Sequence, residues 1–277
     1  TLWIISFVCL PGGGKKTVEH ELKVGDFYCS DGSIVSGDVA EVPENCVGIV
    51  YYVGNPQPSV LYPEKVSTDG SQPFDEAHDV LRREHPSCVH GLVYALDYAN
   101  DVIKLFGTKG NKPDMEGIAS SYTGSYLCKS GSREPHYKSI LGYNNTEVLK
   151  KLANYAIENS ADWDLANMVS CLDSYNKQKV LPSGLTSGWY LPSIEEMRML
   201  INETETINAS MAKANGLSLW YLNGTEGAND PRGRFNGYWS SSLRAGYLFY
   251  MVKDGKEGDS INGYVWNLGY FRFSFAF

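Results

Sequence analysis

The sequence predicts an α+β fold, in which a mixed or antiparallel sheet carries a few flanking helices and long loops. A run rich in β-branched and aromatic residues at 46–54 is typical of a buried strand. The C-terminal run from Phe271 to Phe277 alternates strictly, which places its four phenylalanines on one face of a strand that seals the core. Ser193 and Glu196 have capping-box spacing ahead of an apolar stripe and indicate a helix start.

The remaining elements follow from turn and periodicity signals. A hairpin is predicted over 24–35 because the turn residues Ser30–Ser33 separate two apolar runs. Another strand is predicted at 90–96. Further helices are predicted at 144–158, where Asn144 and Glu147 repeat the capping-box spacing, at 162–175 and at 207–215.

The first residues are predicted to lie outside the folded domain. Thr1–Leu10 is apolar but too short to span a bilayer, and the glycines at 12–14 are typical of a flexible linker. We therefore expect an N-terminal segment or linker at 1–21 and one domain at 22–277.

Composition narrows the classes of partner. Of 277 residues, 43% are hydrophobic, so a sizeable core is expected. The formal net charge of −8 comes without a basic cluster, which argues against nucleic acid as a partner, since phosphate binding needs concentrated Lys and Arg.

Catalytic and metal-binding patterns are not found. The six cysteines show no C-x-x-C spacing, so no zinc site is predicted, and whether they pair is left open. Histidines and carboxylates between Asp75 and His90 would form a site only if that loop folded tightly, and solvated loop residues are the favoured reading. Ser240–Ser242 have no nearby histidine. We expect no enzyme activity, no metal and no cofactor.

The C-terminal block, about 237–277, is unusually aromatic. Twelve of the 40 residues from Tyr238 to Phe277 are Phe, Trp or Tyr, a proportion about twice the 13% of the whole chain. Tyrosine interleaved with small residues is typical of binding surfaces as well as of ordinary strands. The runs 243–250 and 262–270 keep no clean period of two, which favours an exposed surface there.

Several motifs in this chain resemble one family. The run YWSSS at 238–242, its distance from the C-terminus, Arg272 and the helix entry WYLPS at 189–193 look like the variable proteins of diversity-generating retroelements of gut bacteria and their phages. That resemblance implies a C-type-lectin-like fold for 22–277 with a variable region at about 237–277. It implies that Trp239, Phe249 and Arg272 are scaffold.

The resemblance also implies a non-enzymatic binding protein that displays a diversified surface, as an adhesin or a phage receptor-binding protein. Its partner would be a protein or glycan receptor on another cell surface, and its location the cell surface, the secreted fraction or a phage virion. The implied ligand-binding residues are Leu243, Arg244, Ala245, Gly246, Tyr247, Leu248, Tyr250, Tyr264, Trp266, Asn267, Leu268 and Tyr270.

Other readings remain. The main alternative is a structural or pilus-associated surface subunit whose C-terminal aromatics are core, and a weaker one is a hydrolase whose site is hidden. A calcium-dependent sugar site of the lectin type is not expected, because Leu268 replaces the carboxylate of a Trp-Asn-Asp triplet. The cysteine thiols of formylglycine-generating enzymes are also missing from the final hundred residues.

Overall fold

The computed structural model describes residues 4–5, 20–63, 79–99, 103–104, 138–160, 165–220, 237–245, 248–252, 260–264 and 268–277. At 4–5, 103–104, 244–245, 248, 260–264 and 268 the description covers the backbone alone. The glycines at 12–14 lie outside the described residues.

Strands and helices alternate in blocks along the described chain. The strands are β1 (Ile4–Ile5), β2 (His20–Glu21), β3 (Phe27–Cys29), β4 (Ile34–Val35), β5 (Cys46–Val53), β6 (Gly91–Ala95), β7 (Ile103–Lys104), β8 (Tyr238–Ala245), β9 (Leu248–Val252), β10 (Ser260–Tyr264), β11 (Leu268–Gly269) and β12 (Ser274–Ala276). The helices are α1 (Pro58–Leu61), α2 (Val80–Glu84), α3 (Gly142–Glu158), α4 (Leu165–Gln178), α5 (Ile194–Asn202) and α6 (Thr204–Lys213). The predicted α+β class is confirmed at this level.

The central sheet is antiparallel and has the strand order β12-β6-β5-β3-β4. A second antiparallel sheet has the order β10-β9-β8. Short ladders join β1 to β2 and β7 to β11. The ladder between β1 and β2 joins residues 4–5 to residues 20–21. The predicted boundary between a segment at 1–21 and a domain at 22–277 stays a prediction.

Two hydrophobic clusters lie on opposite faces of the central sheet. Val50 faces the cluster that contains the inner sides of α3 and α4, whereas Ile49 faces the cluster that contains α6 and part of α5. Alternation along β5 therefore supplies both faces from a single strand. The continuous apolar run at 46–54 has the composition expected of a strand that is covered on both sides.

The C-terminal strand closes this sheet. β12 pairs with β6 on one side, with Phe275 opposite Val93. On its other side Tyr190 and Ser274 exchange two backbone hydrogen bonds of 2.8 and 2.9 Å, which cover an otherwise open edge. All four phenylalanines from Phe271 to Phe277 belong to one buried cluster, as alternation predicts. The regular strand is shorter than the alternating run.

The helix starts show one prediction confirmed and one wrong. Ser193 and Glu196 form the expected capping box of α5. Asn144 was expected to cap the next helix upstream, but α3 begins at Gly142, whose amide donates to Glu196 Oε2 (2.8 Å). Asn144 instead accepts from the amide of Leu81 (3.1 Å). A carboxylate from a distant helix therefore starts α3 earlier than the local signal predicts.

Smaller differences affect the other helices. The helix predicted to begin at 162 is described from Leu165 and continues to Gln178. The one predicted at 207–215 spans Thr204–Lys213. Shifts of a few residues at helix ends are ordinary, because local propensity defines the ends weakly.

Arg272 ties the C-terminal segment to two other parts of the chain. It is 1% exposed, and its guanidinium carbon lies 4.9 Å from the centre of the Tyr94 ring. Its nitrogens donate to four backbone carbonyls at 2.7 to 3.1 Å, those of Ala95, Leu96, Leu217 and Ser218. The planar guanidinium matches this spread of acceptors, which a lysine ammonium does not.

We expect Arg272→Lys to lower the free energy of unfolding by about 3 kcal/mol, because several buried carbonyls lose their donors. Urea denaturation followed by circular dichroism measures the change. Arg83→Lys, at a half-exposed side chain, is the control and should change stability by less than about 0.5 kcal/mol. Equal stability of the two variants would show that Arg272 is not a central contact.

Candidate functional site

The C-terminal block is folded inward wherever its side chains are described. Tyr238, Trp239 and Phe249 are almost completely buried, and Leu243 lies opposite Phe249 across the β8–β9 ladder. Trp239 and Phe249 join the cluster that lies between the central sheet and α3 and α4. Their burial agrees with the scaffold role that was expected of them.

Three of the twelve predicted ligand-binding residues have described side chains, and all three are buried. Leu243, Tyr250 and Tyr270 are 1%, 5% and 4% exposed. Tyr250 and Tyr270 pack with Ile194 and Met197 of α5. The expectation that these three lie on an exposed surface is wrong, because Tyr250 and Tyr270 pack against α5 and Leu243 belongs to the cluster beside α3 and α4.

The other nine are not placed as side chains. The backbone of Arg244, Ala245, Leu248, Tyr264 and Leu268 lies in β8, β9, β10 and β11. Gly246, Tyr247, Trp266 and Asn267 lie outside the described residues. A binding role for these nine stays a prediction.

The serines of the YWSSS run hold β8 against the start of α5. Ser242 Oγ accepts from the amide of Ile194 (3.0 Å), and the amide of Ser241 donates to Pro192 O (2.8 Å). Ser240 Oγ donates to Tyr250 O (2.9 Å) on the neighbouring strand. These hydroxyls therefore fix packing between two motifs, WYLPS and YWSSS, that are far apart in sequence.

Glu196 is a buried carboxylate at the junction of several elements. Its Oε2 accepts from the amides of Ser193 (2.6 Å) and Gly142 (2.8 Å), and its Oε1 from the hydroxyls of Tyr190 (2.8 Å) and Tyr51 (3.4 Å). Burial raises the pKa of Glu196, although these hydrogen bonds oppose the shift. All four partners are protein groups, so this arrangement joins α3, α5 and β5 and leaves no face open to a substrate.

An open cleft of about 380 Å³ lies between α3, α4 and the segment 187–189. Its lining carries charges of both signs and several polar groups, from Tyr143, Glu147, Lys150, Asp173, Asn176, Lys177, Ser187, Gly188 and Trp189. Glu147 and Lys150 form an ion pair of 2.6 Å. Asn176 Oδ1 accepts from the amide of Trp189 (3.1 Å). Sequence reasoning missed this cleft, because its residues come from three separate segments without a common spacing.

A short chain of polar contacts lies next to the cleft. Tyr143 donates its hydroxyl hydrogen to Glu84 Oε2 (2.8 Å), and His85 Nε2 is 2.9 Å from the same hydroxyl. Partial burial lowers the pKa of His85. Burial raises the pKa of Glu84, but hydrogen bonds from Tyr143 and Arg83 lower it more, so the net shift is downward. These surroundings therefore keep Glu84 ionised and His85 neutral near pH 7.

The acidic and histidine-containing loop proposed as a possible site is partly described. Asp79 is buried and accepts from the amides of Arg82 (2.9 Å) and Ser59 (2.8 Å), which makes it the cap of α2. Asp75, Glu76 and His78 lie outside the described residues. Within the described parts of the chain, no three His, Cys, Asp or Glu side chains come close enough together to hold a metal ion. Nor does any helix in those parts have the length and apolar character to cross a bilayer.

Two known proteins match this chain, and both are named as fimbrial. No family model matches the chain. A protein of Bacteroides ovatus named as the fimbrium tip subunit Fim1C is 32% identical over an alignment of 275 positions, and the alignment covers 96% of this chain and 47% of that protein. The crystal structure of a fimbrial protein from Bacteroides ovatus superposes with a TM-score of 0.71 at 32% identity and covers 96% of this chain and 51% of that one. The chain thus spans about half the length of the relatives it matches.

These matches overturn the assignment to diversity-generating retroelements. The similar proteins are fimbrial, and the similarity runs through nearly the whole chain, including the block read as a hypervariable region. The diversified-surface function and the phage reading are therefore wrong. The motifs that suggested them, WYLPS and YWSSS, are packing motifs here. The alternative of a pilus-associated surface subunit with core aromatics fits better.

Glu196 gives a test that depends on pH. A carboxyl group whose folded pKa lies above its ordinary 4.5 stabilises the protein fully below 4.5, and this contribution is lost as pH rises toward the folded pKa. We expect the wild type to lose stability relative to Glu196→Gln as pH rises through that window. Urea denaturation at a series of pH values measures the difference.

Glu158→Gln, at an exposed position at the end of α3, is the control and should follow the wild-type curve. The raised pKa would be contradicted if the wild type instead gained stability relative to Glu196→Gln as pH rises.

Proposed function

We propose that this chain is a fimbria-associated subunit, part of a cell-surface appendage, in which the C-terminal aromatic residues form core. The observation that carries the proposal is the similarity to fimbrial proteins over 96% of the chain at 32% identity. The proposal concerns the portion of those relatives that the chain spans, which is about half.

The packing supports a structural role. The C-terminal segment is buried from Tyr270 to Phe277, and Arg272 and the Tyr190–Ser274 exchange join it to the rest of the domain. Phe275 contacts Tyr28 and Trp189 edge to face, with ring centres 4.9 and 4.8 Å apart. These contacts hold β12 in the central sheet, as expected if the C-terminal aromatic residues form core.

The finer fold assignment is part of the same proposal. We infer a C-type-lectin-like arrangement for the domain from 22 to 277. The pairing of the C-terminal strand β12 with β6 supports it, and so does the small sheet β8–β9–β10 beside the helix that WYLPS begins.

The chemistry expected of the subunit is recognition without catalysis. We propose a protein or glycan receptor on another cell surface as partner, with no enzyme activity. Nucleic acid is disfavoured by the net charge of −8, and a calcium-dependent sugar site by the lack of a carboxylate at position 268.

The test of the main proposal is fractionation of fimbriae from the bacterium that encodes the chain. A tagged full-length protein, expressed from its own locus, should sediment with sheared fimbriae on an immunoblot. We expect Phe275→Ala to reduce the fimbrial amount severalfold, because removal of a buried ring costs about 3–5 kcal/mol. Ile157→Ala is the control, since that side chain is 66% exposed and its loss should leave the amount unchanged.

Two results would contradict the proposal. One is a folded wild-type protein that stays wholly in the cytosol, and the other is a fimbrial fraction that contains other subunits but lacks this protein.

Calcium gives a separate test. We expect the melting temperature of the purified protein to be the same in EDTA and in millimolar calcium, because the described residues contain no group of three His, Cys, Asp or Glu side chains that could hold the ion. Differential scanning calorimetry measures it. Stabilisation by calcium but not by magnesium would contradict the expectation and reopen the calcium–sugar reading.

A further inference from the structure

Two cysteines lie directly opposite each other in the central sheet. Cys29 ends β3, Cys46 begins β5, and the two are partners in the antiparallel register. Neither amide bonds to the other residue, since Cys29 N donates to Ser33 O (2.9 Å) and Cys46 N to Pro43 O (3.0 Å). The flanking bond runs from Ser30 N to Asn45 O (2.9 Å). That pattern defines a non-hydrogen-bonded pair.

This class of pair brings the backbones closest together. The Cα atoms of such a pair lie about 4.5 Å apart, within the range of about 4.4 to 6.8 Å that disulfides span. Hydrogen-bonded pairs lie farther apart, at about 5.5 Å. The register therefore puts the two thiols at one of the shortest cross-strand separations in a sheet.

The two side chains also share a face. The register shifts by one residue between Tyr28 and Cys29, which leaves Val47 as the extra residue of a bulge. Val47 packs against one hydrophobic cluster, whereas Cys46 packs against the opposite one, to which Phe27 belongs. Cys29 lies two residues after Phe27 and so points to that same face.

We propose that Cys29 and Cys46 form a disulfide when the chain folds in an oxidising compartment. Two S–H bonds break and one S–S bond forms, and the two electrons and two protons pass to a disulfide oxidant, which is reduced to two thiols. The bond joins β3 to β5 beside the bulge and closes the segment 30–45, which contains the edge strand β4. The inference goes beyond the fimbrial proposal and does not depend on it.

Burial also lowers the reactivity of the two thiols. Burial raises the pKa of Cys46 to about 12, and the nearby Cys29 adds to the shift. Burial also raises the pKa of Cys29, against the effect of a hydrogen bond from Ser33. Because the thiolate is the reactive form, we expect exchange of these thiols in the folded protein to be slow.

The experiment compares full-length protein secreted to a bacterial periplasm with the same protein made in a cytosol. Each sample is denatured, alkylated without reduction and digested with trypsin. Both cysteines fall in one peptide, 24–65, because no Lys or Arg lies between Lys23 and Lys65. In the periplasmic sample this peptide should escape alkylation and weigh two hydrogen atoms less than its reduced form. Cleavage at Glu41 or Glu44 should leave its halves joined until a reductant is added.

Two variants complete the test. Cys46→Ser should leave Cys29 fully alkylated in the periplasmic sample, and Cys88→Ser, at another buried cysteine, should leave the Cys29–Cys46 link unchanged. Full alkylation of both cysteines in periplasmic wild type would overturn the proposal. A link from either of them to Cys9 or Cys128 would overturn it as well.

Discussion

The buried guanidinium of Arg272 is the contact on which the arrangement of the domain depends. It replaces water at four backbone carbonyls, two at the end of β6 and two in the segment after α6. A charge so deep in the protein is tolerated because each of the three guanidinium nitrogens donates to at least one carbonyl. Arg272 therefore holds the C-terminal segment in place, and with that segment fixed the last strand can complete the central sheet.

The burial of the C-terminal block changes what its composition means. Aromatic residues among Gly and Ser are common on binding surfaces, but here Trp239, Phe249 and Phe271 fill the space between the sheet and two helices. Small residues are needed for the same packing, since a Cβ at Gly269 would lie 2.5 Å from Trp239 Nε1. A receptor cannot reach these buried side chains, whereas the cleft between α3 and α4 is open and carries charges of both signs.

Much of the fold could be predicted from local signals, and the site could not. The capping box at Ser193, the buried strand from Cys46 and the phenylalanine face of the last segment each depend on residues close in sequence. Within the run 243–250, Leu243 and Phe249 face one buried cluster and Tyr250 faces another, so apolar residues point to both faces and the period of two is lost. The start of α3 depends on Glu196, and the cleft on three distant segments, which no local pattern encodes.

Hydrogen exchange of the backbone amides measures most directly whether the C-terminal block is core. Mass spectrometry of the full-length protein should show that amides of 238–243 and 270–277 exchange as slowly as those of β5 and β6, because both segments are buried and contribute side chains to the cluster of Val50 and Val93. Exchange there as fast as in exposed segments such as 183–185, with β5 and β6 still protected, would contradict the account.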